Sequence, residues 1–435
     1  MTRRLRFLLA CATPLLVMAV AAVCWLEARG KPSRPATPGA LLTQETYVWQ
    51  RAWRAPLRQS VVDFRDACDG FVVLAAQVTW SGQHGQVVAT EADFALLARQ
   101  GKRVGLAVRV GLYGGPLASD DSAAALLADV CQTSLSKARA AGIKPSELQI
   151  DFDCPESKLE GYRLWLTAIR KRLDGTPLTF TALPSWLHRG EFAALAAEAD
   201  GFVLQVHSLK APKDGRDFVL CDAQAAQRWA AQAGTVGKPF RIALPTYAYV
   251  AATDEAGKLI GLSAEGPSLT WPPDAHLRTV WADPAEMAAL IREFSAAPPE
   301  LMTGILWYRL PSGEDRFNWS PRTLRAVMAG RSPLPALRAR TVKTPGGPVE
   351  IELVNDGEAD GPLPPSVSAT FAGRAVAADG VNGYRTLDSE TGQVHYRRGG
   401  DSLGMLPPGA ALRIGWLRFD HDTDVSVSIS YQASD

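Results

Sequence analysis

From Thr46 to about Gly330, short β-branched and aromatic runs alternate with Ala- and Leu-rich amphipathic stretches. Such alternation is the signature of repeated β-α units, whose strands lie parallel because each crossover helix returns the chain to the same edge. Eight strands are expected: Thr46–Trp53, Gly70–Trp80, Arg103–Val110, Glu147–Cys154, Leu178–Trp186, Gly201–Ser208, Phe240–Tyr249 and Gly304–Leu310. Between them, helical periodicity marks Ala92–Gln100, Asp121–Ala141, Leu159–Leu173, Ala223–Ala233 and Pro284–Phe294, the last with proline at a first-turn position. Eight repeats favour a closed (β/α)8 TIM-type barrel, an α/β fold, over an open sheet. The interval Ala251 to Ala282, punctuated by Gly257, Gly261, Gly266, Pro267, Pro272 and Pro273, reads as a loop over the barrel mouth.

After Arg331-Ser332-Pro333-Leu334-Pro335 the texture changes to short alternating runs broken by Gly, Asn and Asp: Val349–Val354, Ser366–Phe371, Gln393–Tyr396, Ala411–Leu417 and Val425–Tyr431. This predicts a small C-terminal domain over 340–435 of antiparallel β-sandwich type, behind a barrel over 45–332. It reads either as a packing domain that caps the barrel or as a carbohydrate-binding module. A length of 435 residues suits such a pair, since an α/β barrel alone takes about 250.

The N-terminus is of a different kind. Arg3, Arg4 and Arg6 precede an uncharged run from Phe7 to Leu26, then Glu27-Ala28-Arg29 and a Pro-rich stretch from Lys31 to Pro38. Residues 1–30 are expected to be a signal peptide or signal anchor, and 31–44 a linker. The apolar run is long enough to span a bilayer, and neither Leu8-Leu9-Ala10-Cys11 nor Ala21-Ala22-Val23-Cys24 makes a convincing processing site. An uncleaved anchor in the inner membrane with the bulk of the chain in the periplasm is the first expectation, and a cleaved signal with secretion the second. In an oxidising compartment the four remaining cysteines, Cys68, Cys131, Cys154 and Cys221, could form one or two disulfides, with Cys154–Cys221 a candidate pair; buried free thiols are the alternative.

Charge excludes one class of partner. With 46 Lys+Arg against 45 Asp+Glu and no basic run outside the leader, nothing suggests a nucleic-acid backbone. No P-loop, no G-x-G-x-x-G and no G-x-S-x-G opens a helix after a strand, and no His or Cys spacing makes a metal set, so no cofactor or metal is expected.

If the barrel is right, the site is built at the carboxyl ends of its strands. The fourth strand ends Leu148-Gln149-Ile150-Asp151-Phe152-Asp153, and period-two alternation puts Gln149, Asp151 and Asp153 on one face while Ile150 and Phe152 meet the helices. Two carboxylates at i and i+2 have α-carbons roughly 6–7 Å apart, close enough for one to hold the other protonated. Glu156 follows shortly. In the same register stand Gln77, Arg109, Gln205 and His207, with Tyr247 ending the seventh strand and Trp307 and Arg309 the eighth; Trp49 and Trp186 fall near strand ends. Aromatic faces among amides and acids suit sugar rings, which stack their C–H faces and direct their hydroxyls.

Ile150-Asp151-Phe152-Asp153 resembles the centre of the chitinase-like glycoside hydrolase signature D-x-x-D-x-D-x-E, and Gly304-Ile305-Leu306-Trp307 resembles the segment that supplies the floor tryptophan of those enzymes. The pattern departs at two positions: the proton-donating Glu would stand at Pro155, and the first Asp at Leu148. From Tyr47-Val48-Trp49-Gln50 through Leu183-Pro184-Ser185-Trp186 to Trp307-Tyr308-Arg309, the chain also resembles a family of uncharacterised bacterial exported proteins, a domain of unknown function thought to be barrel-shaped. The exported-family resemblance implies a fold and a compartment and no established activity. The first reading of the residues is a glycosidase-like barrel acting on an envelope or extracellular polysaccharide, with Asp153 as general acid and Asp151 as the partner that tunes it or stabilises an oxocarbenium-like centre. A non-catalytic glycan-binding or assembly protein is the alternative, and a purely structural envelope protein the third.

Overall fold

A computed structural model describes residues 42–82, 84–118, 122–208, 219–263, 271–387, 391–399 and 404–431. The expected export segment lies outside the described residues, as do 31–41 of the linker. Among the described residues no helix is long and apolar enough to cross a membrane.

The first strand, β1, spans Thr43–Val48, shifted towards the N-terminus from the expected Thr46–Trp53 because Arg54-Ala55-Pro56 starts helix α1 (Ala55–Phe64). Then follow β2 (Gly70–Ser81), β3 (His84–Ala89), α2 (Phe94–Gln100), β4 (Arg103–Val110), α3 (Ser122–Ala140), β5 (Leu148–Phe152), α4 (Leu159–Arg170), β6 (Leu178–Ala182), α5 (Gly190–Ala197), β7 (Gly201–Gln205), α6 (Ala223–Gly234) and β8 (Phe240–Pro245). A three-stranded insertion comes next, β9 (Ala248–Thr253), β10 (Leu259–Ser263) and β11 (His276–Trp281), before α7 (Pro284–Ala296), β12 (Met302–Tyr308) and α8 (Pro321–Met328). The parallel order β1-β12-β8-β7-β6-β5-β4-β2 is closed by a β1–β2 pairing, so eight strands form a complete barrel, with β3 added antiparallel beyond β2.

Local chemistry explains where the helices begin. Asp93, Asp222, Asp283 and Ser320 each accept a backbone N–H of the following first turn, and Pro284 and Pro321 occupy positions where a missing N–H costs nothing.

The expected mouth loop 251–282 is corrected: much of it is the antiparallel sheet β10-β9-β11. Its glycines and prolines suggested an irregular loop, but Gly257 serves a tight turn at φ 80° in which Lys258 N–H donates to Asp254 Oδ1, and the flanking runs pair across it.

Two apolar layers hold the barrel. Outside it, Phe180, Phe202, Phe240, Ile150 and Phe152 pack against the helices; inside it, Tyr47, Trp49, Val72, Leu74, Ala107, Val203, Ala243 and Leu306 fill the bore. The amino-terminal end is closed by charge. Arg241 bonds Glu45 and, at 2.6 Å, both oxygens of Glu147, which also accepts from Thr179 Oγ1 at 2.6 Å. Gly70 and Gly105 make room, since a Cβ on either would stand 2.9 Å from a glutamate side-chain atom of this group.

The C-terminal region contains β13 (Leu337–Lys343), β14 (Val349–Asn355), β15 (Gly361–Pro362), β16 (Ser366–Phe371), β17 (Ala377–Gly380), β18 (Tyr384–Thr386), β19 (Gln393–Arg398), β20 (Met405–Leu406), β21 (Ala411–Arg418) and β22 (Val425–Ser430). Two four-stranded antiparallel sheets, β13-β14-β21-β17 and β18-β19-β16-β22, enclose their own core of Ile351, Leu353, Val367, Tyr396, Ile414 and Leu417. None of this region's described residues lines the cavity at the carboxyl end of the barrel. The region is tied to α8, where Thr323 Oγ1 donates to the Glu358 carbonyl at 2.6 Å, and to the segment after it, where Arg331 pairs with Glu358 at 2.6 Å.

Candidate functional site

Alternation along the strands aims every second side chain into the bore, and at the carboxyl end the bore widens into a cavity of about 630 Å³. On β5, Gln149 lies deep and accepts a hydrogen bond from Tyr47 Oη at 2.8 Å; Asp151 stands one layer higher, and exposed Asp153 follows the strand at the rim. The neighbours of β5 supply the partners of Asp151. Thr181 on β6 donates to Asp151 Oδ1 at 2.8 Å, and Arg109 on β4 places Nε 4.0 Å from Oδ2.

Burial dominates this carboxyl. The Asp151 side chain is 16% exposed, and loss of water, reinforced by Asp153, lifts its pKa to about 6 against the lowering pull of Arg109 and Thr181. A raised pKa gives Asp151 the proton-holding character that a general acid needs. Period-two alternation gave the two the same face but not the same depth.

Across the cavity stands an aromatic wall. Tyr47 and Trp49 of the first βα unit meet Tyr308 of β12 edge-on, with ring centroids 5.7 and 5.6 Å away, and His207 stacks on Tyr308 at 5.6 Å. His207 Nδ1 lies 3.2 Å from Tyr247 Oη, and Ser208 Oγ lies 2.6 Å from Tyr249 Oη. Burial drives the His207 pKa down to about 3, so its ring is neutral at ordinary pH and acts as a hydrogen-bonding group rather than a cation. Tyr249, Leu262 and Ser263 bring the β9–β10 insertion into the wall.

Of the twelve residues singled out in the sequence, Asp151, Asp153, Trp49, Arg109, Gln205, His207 and Tyr247 line this one cavity. Five do not. Trp307 faces the helices, fully buried, and donates its indole N–H to Gln44 Oε1 at 3.0 Å; the phase of β12 is set by Leu306 in the bore, so Tyr308 is the aromatic that faces the cavity. Trp186 lies in a 3-10 turn, Pro184–His188, fully buried against Tyr162 and Phe192. Gln77 follows a bulge between Leu74 and Ala76, and its amide oxygen accepts from Arg51 at 2.7 Å. Arg309 pairs with Asp315 at 2.8 Å and fixes the 309–319 segment, while Glu156 sits exposed in the turn Glu156–Lys158.

Sequence reasoning missed Tyr47, Thr181, Tyr249 and Tyr308. Thr181 was within reach, because Leu178-Thr179-Phe180-Thr181 alternates plainly; Tyr308 was not, because Ile305-Leu306-Trp307-Tyr308 is apolar throughout and carries no phase. The candidate Cys154–Cys221 disulfide is absent: Cys68, Cys131, Cys154 and Cys221 are buried free thiols, whose burial pushes each pKa up to about 12.

Residues 103–313 match the family model described as Domain of unknown function (DUF3142). That match runs from β4 to just beyond β12 of the barrel. A second model of the same standing, Domain of unknown function (DUF8456), matches residues 338–420 in the C-terminal sheets. No curated protein matches the chain. Among solved structures, a chitinase from Chromobacterium violaceum ATCC 12472 is 13% identical over 66% of this chain and 98% of its own, with a TM-score of 0.45. The Bacillus cereus spore cortex-lytic enzyme SleL is 9% identical over 66% and 74%, with a TM-score of 0.44. Chitinase ChiA74 from Bacillus thuringiensis is 10% identical over 89% and 100%, also at 0.44. Likenesses this distant carry no argument about activity, and the barrel assignment rests on the strand pairing of this chain.

Proposed function

We propose that the barrel is a glycoside hydrolase-like protein that binds a carbohydrate chain at its mouth and transfers a proton through Asp151. The observation that carries the reading is a carboxyl group titrating at about 6, set in an aromatic-walled cavity of about 630 Å³. That volume lies within the range of small-ligand sites, and near-neutral titration is what a general acid needs to hold a proton and release it at working pH. Trp49 and Tyr308 offer faces to sugar C–H groups, while Gln205, His207 and Tyr247 offer directed hydrogen bonds. Asp153, at the rim, would stabilise positive charge developing at the anomeric carbon.

The substrate class follows from the expected compartment. If the N-terminal segment exports the chain and holds it at the inner membrane, the carbohydrate is an envelope or extracellular polysaccharide. A second reading, glycan binding without turnover, is favoured by Pro155 standing where the resembled signature carries its proton-donating Glu.

Full-length protein incubated with a panel of envelope and exopolysaccharide glycans tests both, with product release and binding recorded together. Hydrolysis that Asp151→Asn reduces by on the order of 10²–10⁴-fold supports the enzyme. Binding without hydrolysis at any pH from 4 to 8 selects the second reading, and no binding to any glycan overturns both.

A further inference from the structure

The charge balance of the mouth points to the kind of sugar it would take. Among the described residues that line the cavity, the carboxyl and guanidinium side chains are those of Asp151, Asp153 and Arg109. His207 adds nothing to the sum, being neutral in its buried setting. Arg109 stands on the Asp151 side, 4.0 Å from Oδ2, and so offsets the inner carboxylate. Asp153, exposed at the rim, has no ion pair or hydrogen bond among the described residues, so the described lining holds one carboxyl group more than it holds guanidinium groups. The rings opposite, Trp49 and Tyr308, meet edge to face, and aromatic faces carry the negative end of their quadrupole. A carboxyl group and electron-rich rings lining one cavity attract a cation and disfavour an anion.

Resting on the glycan reading above, we propose that the mouth selects a cationic sugar, a hexosamine unit whose amino group is free rather than acylated, with Asp153 receiving the ammonium group. A ring of this kind satisfies both halves of the site. Its C–H face stacks on the aromatic wall and its ammonium reaches the carboxylates. An N-acetyl group at the same position would lose the charge, and a uronic acid would bring like charge against Asp153.

Calorimetric titration of full-length protein tests this with three oligosaccharides of equal length: a glucosamine oligomer, the N-acetylglucosamine oligomer of the same linkage, and a galacturonic acid oligomer. The glucosamine oligomer is expected to bind on the order of tenfold more tightly than its N-acetylated counterpart, as one partly exposed ion pair allows. The margin should shrink as salt is raised. Asp153→Asn should erase it while binding of the N-acetylated oligomer persists; Asp422→Asn, in the C-terminal sheets, should leave it intact. Because Asp153 is exposed, its substitution leaves the fold in place, which circular dichroism verifies. Equal or tighter binding of the N-acetylated or uronic oligomer overturns the selectivity and leaves the glycan reading standing. A preference that survives Asp153→Asn places the amine elsewhere and also overturns it. Failure of all three oligosaccharides, together with neutral glycans, overturns the glycan reading itself.

Discussion

The two ends of the barrel both bury charge and treat it differently. At the amino-terminal end, Arg241 is caged by Glu45 and Glu147, with Thr179 completing the set and side chains exposed by less than a tenth. Burial works against the Arg241 cation, yet the two glutamates hold its pKa above the ordinary arginine value. At the carboxyl end, Arg109 and Asp151 stand 4.0 Å apart beside open space, and the carboxyl drifts up to about 6. A buried charge whose partners close around it is part of the frame, whereas one left partly unanswered beside a cavity is available for a ligand.

Substitutions at the two ends should separate accordingly. Arg241→Ala strands two buried carboxylates, so urea unfolding is expected to show a loss of about 3–5 kcal/mol; a loss under 1 kcal/mol would erase the distinction. Asp151→Asn should act in the opposite sense. With a folded pKa of about 6 against an ordinary 3.8, the folded state holds this proton more tightly than the unfolded chain, so ionised Asp151 costs stability. Wild-type stability relative to Asp151→Asn should therefore fall as pH rises from about 4 to 6 and then level off, by on the order of 3 kcal/mol at most. Tyr308→Ala should weaken glycan binding on the order of tenfold with thermal stability less affected than in Arg241→Ala, and Trp307→Phe, on the helix side of the same strand, should leave binding unchanged. Thr181→Val removes a donor to the Asp151 carboxylate and should raise the Asp151 pKa by roughly one unit, read from the pH profile of binding or turnover.

Legibility in the sequence followed the strength of periodicity. The eight-strand barrel was readable because each strand is bracketed by amphipathic helices, and Asp151 and Asp153 because Leu148–Asp153 alternates cleanly between bore and helix layer. Trp307 was misplaced where alternation vanishes, in a run whose residues are all apolar, and Gln77 where a bulge shifts the register of β2. The β9–β10–β11 sheet was hidden by turn-forming residues that serve its hairpins. The raised pKa of Asp151 comes from its depth in the bore, opposed by Thr181 and Arg109 on neighbouring strands, and spacing along β5 encodes none of these.

The most direct test is the carboxyl carbon titration of Asp151 in full-length protein labelled at aspartate, assigned with Asp151→Asn and run with and without a saturating glucosamine oligomer. The account predicts a midpoint near 6 for the free protein and a displaced midpoint when the oligosaccharide is bound. A midpoint near 4 that the oligosaccharide does not move would contradict it, because the mouth would then hold an ordinary carboxylate and no sugar.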